Sequence, residues 1–348
     1  MNSQSLRSRR ETLAHYYHKV PATVFLLFGM ILFFSLLSDK YFTVSNIMNV
    51  IVQCSSGVGI VALASYLAIC STGVDLSLGG IVSLSGMITA KILTWDIPLF
   101  SQIRNNNPVF LLLIAVTAAI AAGAAIGSMN GLILARTKIP SFIVTLGMYK
   151  ICETFSRVIA GGTTIRINGL PLFEFIGNGS LLNVQIGRRS IGLLPISMII
   201  MLLLYIFFSF VMKKTRFGTY VYAIGGNNES AALSGINTVL TRYRVFLYGG
   251  MIAAFTGIIF TSRLTSASAQ NGLGLEFDGI AAAVVGGAAM SGGRSTPGRT
   301  LIGALIISVM KNGFNMIGMS NSIQMIAIGC VLIAVVSVDT LRNRRRFV

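Results

Sequence analysis

Ten apolar runs set what this chain can fold into, because each is long enough, or nearly so, to cross a lipid bilayer. They lie at 21–38, 47–70, 76–95, 109–134, 140–160, 191–212, 245–262, 277–291, 299–318 and 322–338. A bilayer core takes about 20 apolar residues per helix. In lipid each segment must satisfy its own backbone N–H and C=O groups, which a helix does. The expected fold class is an all-α polytopic membrane protein of about ten transmembrane helices. Composition agrees, with 54% hydrophobic and 11% charged residues in 348, where soluble domains carry about 25% charged. The runs at 76–95 and 277–291 are interrupted by Gly and Ser and leave room for broken or re-entrant helices.

The net charge of +17 raises nucleic acid as a partner, but the cations sit between apolar runs, where cytoplasmic loops collect Lys and Arg. With the N-terminus inside, 17 of the 27 Lys and Arg fall on the inner side and six on the outer; Lys91, Lys150, Arg157 and Lys311 fall within spans. That asymmetry predicts both termini in the cytoplasm and excludes nucleic-acid binding as the purpose of the charge. The expected organisation is a cytoplasmic arm over 1–20, a transmembrane domain over 21–340 and a basic cytoplasmic tail over 341–348. Within the domain, 213–244 is a cytoplasmic loop and 161–190 an outer loop. The arm runs into an apolar segment ending in SDKYF, which lacks a small-residue cleavage pattern, so the first helix is expected to be retained.

Enzyme chemistry finds little to work with. Cys54, Cys70, Cys152 and Cys330 lie inside apolar segments without paired or metal-ligand spacing, and His15 and His18 have no carboxylate beside them. Gly293-Arg294-Ser295-Thr296-Pro297-Gly298-Arg299-Thr300 imitates a phosphate-binding loop with Arg299 in place of the lysine. Such a loop joins a strand to a helix in an α/β domain, and here both flanks are apolar spans, so it reads as a cytoplasmic turn. No nucleophile–base pair, metal motif or cofactor site is expected in this chain.

Four features bear on transport. Gly123, Gly127 and Gly131 form a GxxxGxxxG ridge, which lets helices pack closely where lipid gives no hydrophobic drive. Lys150, Glu153 and Arg157 share one helical face, read either as a compensated ion cluster or as a polar lining of a solute path. Asp75 opens a Gly/Ser-rich span and is placed to cap it or to touch solute. A weak internal repeat pairs Asp75 with Asp278 and Asn130-Gly131 with Asn312-Gly313, each acid preceding a Gly-rich apolar run; transporters commonly form their path between such repeats.

The polar stretch 213–244 carries five basic residues and one acid, Glu229. Ala231, Ala232 and Gly235, at i, i+1 and i+4, are expected on one helical face that lets another backbone approach, which reads as a docking element.

Taken in order, GVDLSLGG (73–80), IPSFIVTLG (139–147), TRFGTYVYAIGGNNESAALSGI (215–236), EFDGIAAAVVGGAAMSGG (276–293), GALIISVMKNG (303–313) and IGCVLIAVVSVD (328–339) resemble the permease subunits of ATP-binding-cassette importers of the ribose, xylose, galactose and autoinducer-2 group. The resemblance covers about 300 residues. It implies ten spans arranged as in type II importers, in a bacterial inner membrane, paired with a second permease copy or paralogue. It also implies a separate cytoplasmic ATPase that carries the ATP and Mg, and an external solute-binding protein. By position, Gly225, Gly226, Asn227, Ala231, Ala232, Gly235 and Ile236 carry over as ATPase-coupling residues. Asp75, Lys150, Glu153, Arg157 and Asn312 are the expected pathway residues. Glu153-Thr154 stands where relatives often have Arg-Gly, and Gly286 to Met290 departs from a GGTSL-type sequence; these departures bear on the solute. The overall resemblance implies import of a sugar or similar small polar solute, with a nucleoside or branched-chain amino acid as the alternative. A stand-alone ion-coupled transporter is the competing class.

Overall fold

Helix follows helix because each apolar run closes its own hydrogen bonds and the polar joints between them are short. The computed structural model describes residues 22–344 apart from 138, 187, 188 and 294. The arm at 1–20, the last four residues of the tail, and Lys138, Arg188 and Arg294 of the charge count lie outside the described residues. In order come α1 (Ala22–Leu37), α2 (Val44–Cys70), α3 (Ser77–Thr94), α4 (Pro98–Asn106), α5 (Pro108–Arg136) and α6 (Ser141–Ala160). A segment of short elements follows: β1 (Ile165–Arg166), α7 (Pro171–Asn178) and the hairpin β2 (Asn183–Ile186) with β3 (Arg189–Gly192). Then come α8 (Ile196–Lys214), α9 (Arg216–Gly226), α10 (Asn228–Leu233), α11 (Thr238–Leu264) and β4 (Ser266–Ala267). The chain closes with α12 (Leu275–Val285), α13 (Pro297–Met316) and α14 (Asn321–Arg344). β1 pairs antiparallel with β4, Ile165 opposite Ala267, and so ties the segment after α6 to the end of α11.

Each apolar run overlaps a described helix, although 191–212 begins in β3 and becomes helical only from Ile196. Among the described residues, α2, α3, α5, α8 and α11 are long and apolar enough to cross a membrane by length and composition. The run at 76–95 is one continuous helix, whereas the run at 277–291 ends as a helix at Val285 and continues as turns. The segment resembling a phosphate loop follows those turns, and Pro297 occupies the first turn of α13, where its missing N–H leaves no helix bond unmade. Among the described residues the element before it is the helix α12, not a strand.

Burial runs the wrong way for water. Phe28, Leu32 and Leu36 on α1, Leu113 on α5, Phe155 and Val158 on α6, and Ile206 and Phe210 on α8 are exposed. Apolar surface of that extent belongs against lipid. The core lies between α2, α3 and α11, whose spanning windows are mostly buried. In the middle of α2 a π-helical turn, Cys54–Val58, is steadied by Ser56 Oγ donating to Val52 O at 2.6 Å and by Tyr205 of α8 donating to Gly59 O at 2.7 Å.

The glycine ridge of α5 packs as its spacing predicts. A Cβ at Gly123 would overlap Gly250 O and Ala254 of α11, and one at Gly127 would overlap Phe246 O; at Gly131 it would press on the backbone of Tyr243. α5 and α11 therefore meet backbone to backbone. Gly127→Leu is expected to destabilise the fold by about 3 kcal/mol through overpacking. Thermal unfolding in detergent checks this, and the neighbouring Ile126→Leu should sit within about 1.5 kcal/mol of wild type.

Candidate functional site: a docking stretch and a polar cavity at opposite ends

The stretch 213–244 folds into three pieces. α9 packs inward, with Gly218, Val221, Ile224 and Gly225 buried. A Cβ at Gly225 would overlap Cys70 O, so α9 lies directly on the end of α2. α10 stands outward. Asn227 caps it by accepting from Ser230 N at 2.8 Å. Ala231 is buried, while Gly226, Asn227, Glu229 and Ala232 are exposed and Ile236 is half-buried. Leu233 is 91% exposed, the most open of the large apolar side chains.

The expected shared face of Ala231, Ala232 and Gly235 does not form, because the helix ends at Leu233. Gly235 adopts φ +82°, donating to Ala232 O at 3.0 Å while Ile236 donates to Ala231 O at 3.1 Å. That pair of bonds is a glycine-terminated helix end, so Gly235 is required for chain reversal. The third piece, the first two turns of α11, absorbs Arg242 and Arg244 into the helix.

α11 has 27 residues and is about 40 Å long at 1.5 Å per residue. At its far end is a cavity of about 810 Å³, within the size range of small-molecule sites. Its wall carries Arg263 from α11, Glu276 and Asp278 from α12, Lys311 and Asn315 from α13, and Gln53 and Gly57 at the π turn of α2. Lys311 Nζ is bonded to Asp278 Oδ2. Arg263 Nη1 donates to Ser56 Oγ at 3.1 Å, and Glu276 is 3% exposed with no hydrogen-bond partner at Oε2. Gly79 makes room for that carboxylate, since a Cβ there would overlap Oε2. Two cations and two acids are thus set in a wall that is otherwise largely apolar, with Val58, Phe260, Leu275, Phe277, Met325 and Ile328 among its side chains. A few polar groups in an apolar wall are the usual make-up of a small-molecule site.

None of the five expected pathway residues lines this cavity. Asp75 sits at the opposite end of the molecule, near α9, accepting from Ser77 N at 3.0 Å and Ser77 Oγ at 2.6 Å, with Asn130 Nδ2 donating to the same hydroxyl at 2.9 Å. Burial pushes its carboxyl up to about 6 against these lowering bonds. Asp75 is not the cap of α3: the N-cap residue is Leu76, which makes no side-chain cap bond, and Asp75 reaches only the N–H of Ser77 from one position earlier. Lys150 and Arg157 flank Glu153 at 3.0 Å and 2.6 Å on the exposed face of α6. Asn312 is buried in a reciprocal amide pair with Asn46, at 2.9 Å and 3.0 Å, and its neighbour Lys311 is the one that reaches the cavity.

A family model described as the permease component of the branched-chain amino acid transport system matches residues 46–336. The chain belongs to this permease family. The permease is 33% identical to the ribose import permease protein of Escherichia coli K12 over 346 residues, covering 99% of this chain and 100% of that one. It is 32% identical to the D-allose transport system permease protein of the same organism, covering 92% of each. It is 31% identical to the fructose import permease protein of Rhizobium meliloti, covering 94% of this chain and 88% of that one. No solved structure matches. The permease is thus a multi-pass membrane protein, and its polar cavity and outward helix α10 belong to a transport subunit.

Proposed function

We propose that the permease is the membrane-spanning subunit of an ATP-driven, binding-protein-dependent importer that carries a sugar into the cytoplasm of a bacterial cell. The observation that carries this reading is its similarity, over nearly its whole length, to permeases named for ribose, allose and fructose import. In this reading ten spans cross the inner membrane, both termini face the cytoplasm, and the 213–244 stretch meets a separate ATPase that holds ATP and Mg. The outer loop 161–190 faces an external solute-binding protein. The exposed Lys150–Glu153–Arg157 face of α6 is costly against lipid and is covered by a second permease copy or paralogue around a shared path. Glu276, Asp278, Lys311 and Arg263 line the outer part of that path.

Mechanistically, closure of the ATPase dimer pushes on α10. α9, lying on the end of α2, passes the movement into the helix whose π turn borders the cavity. Access then alternates between the two sides. The family description keeps a branched-chain amino acid as the other solute class. Purification of the intact complex in detergent, with mass identification of its subunits and of the small molecule held by the external partner, tests both points. A sugar with an ATPase and a binding protein is expected. A complex lacking an ATPase overturns the reading.

A further inference from the structure

Three segments meet at the docking end, and their meeting point has a specific chemistry. Tyr66 from the last turns of α2 and Tyr222 from α9 bring their hydroxyls within 2.6 Å of each other. Both point at one carbonyl, Ser295 O, in the connection between α12 and α13: Tyr222 Oη donates to it at 2.8 Å, and Tyr66 Oη lies at 3.4 Å. Tyr66 is fully buried and Ser295 nearly so. Around this polar centre the backbones touch. Gly293 N donates to Cys70 O at 3.4 Å, and a Cβ at Gly292 would overlap Thr72 and crowd Gly225 O. Glycines thus bring the three segments close enough for two phenols to share one acceptor.

The connection held by Ser295 joins the two helices that carry the cavity ion pair, Asp278 on α12 and Lys311 on α13. Tyr222 lies in the docking stretch itself, within four residues of Gly226, where the chain turns outward into α10. A displacement of α9 relative to α2 therefore has to move or break the Tyr66–Tyr222–Ser295 centre before it reaches α12 and α13.

We propose that Tyr222 and Tyr66 are positioning residues, a latch that carries movement of the docking stretch to the α12–α13 pair. This rests on the proposed function, since it needs an ATPase to move α9. Neither tyrosine lines the cavity. A buried hydrogen-bond network between packed segments is the kind of physical contact through which distant sites are coupled.

The test uses the complete transporter in proteoliposomes, measuring ATP hydrolysed and radiolabelled ribose taken up in the same vesicles. Y222F keeps the ring and its packing and removes the donor to Ser295 O; Y66F attacks the same centre from α2. We expect each variant to retain the ATPase through purification and to hydrolyse ATP, while uptake per ATP falls about tenfold, the size of one lost hydrogen bond. Because both act through one centre, the double variant should be no worse than either alone. A tyrosine that only supported the fold would lower uptake and hydrolysis together and leave their ratio unchanged. Unchanged uptake per ATP in both single variants, or losses that add in the double variant, overturns the latch alone. No ATP-driven uptake by the wild-type transporter overturns the proposed function, and the latch with it.

Discussion

Asp278→Asn is expected to destabilise the permease by about 3 kcal/mol, because Lys311 is left without its counter-charge inside the protein. Asp278 is nearly sealed, with 4% of its side chain exposed, and Lys311 opens to the cavity with 30%. The opening places the cost at the low end of the range for a broken buried pair, since water reaches the ammonium. Lys311→Met is expected to be no better, as it strands the carboxylate instead. Replacing both, Asp278→Asn with Lys311→Met, should bring the melting temperature back to near that of wild type, because an ion pair in such a place adds little net stability over neutral groups. Thermal unfolding of the four proteins in detergent gives the cycle. Uptake by the double variant is expected to stay about tenfold down even though the fold is restored. Stability and uptake recovering together would take the pair out of the solute path.

The second large effect is expected at the other end. Leu233→Asp leaves the fold alone, since a side chain 91% exposed has almost no packing to lose; its stability should stay within about 0.5 kcal/mol of wild type. Binding to the ATPase should weaken by about 2 kcal/mol, near thirtyfold, as befits an apolar anchor at the centre of an interface. Co-purification and titration of the ATPase onto detergent-solubilised permease read this directly. Gly235→Ala makes the contrast. Its φ of +82° strains any L residue, so it is expected to lose about 1 kcal/mol of local stability at the end of α10 and to bind the ATPase less tightly only in proportion. A Leu233→Asp variant that binds as tightly as wild type would remove α10 from the interface.

Legibility in the sequence followed how local each cause was. Apolar length predicted where helices run, and the GxxxGxxxG spacing of Gly123, Gly127 and Gly131 predicted a close contact, though not that α11 is the partner. The ion cluster Lys150–Glu153–Arg157 was readable because i+3 and i+4 neighbours on a helix meet whatever surrounds them. The cavity was hidden. Lys311 and Asn312 are adjacent, but successive helix residues point about 100° apart, so only the placement of α2 and α12 decides which one faces Asn46 and which faces Asp278. Arg263 finds Ser56 across 207 positions, and Tyr66 finds Tyr222 across 156; no periodicity encodes such meetings. Gly235 was misjudged for a local reason. In AALSG the glycine past the last apolar residue is a stop signal, and it was counted as part of the helix face. Leu233, between Ala232 and Ser234, shows by composition alone no more than another apolar residue.

The central claim is that this chain forms the path and another chain supplies the energy. Its most direct test is radiolabelled ribose uptake into proteoliposomes holding the permease, with and without the co-purified ATPase and the external binding protein. The account predicts no uptake by the permease alone under a proton or sodium gradient, and uptake dependent on lumenal ATP once the other subunits are present. Gradient-driven uptake by the permease alone would contradict it.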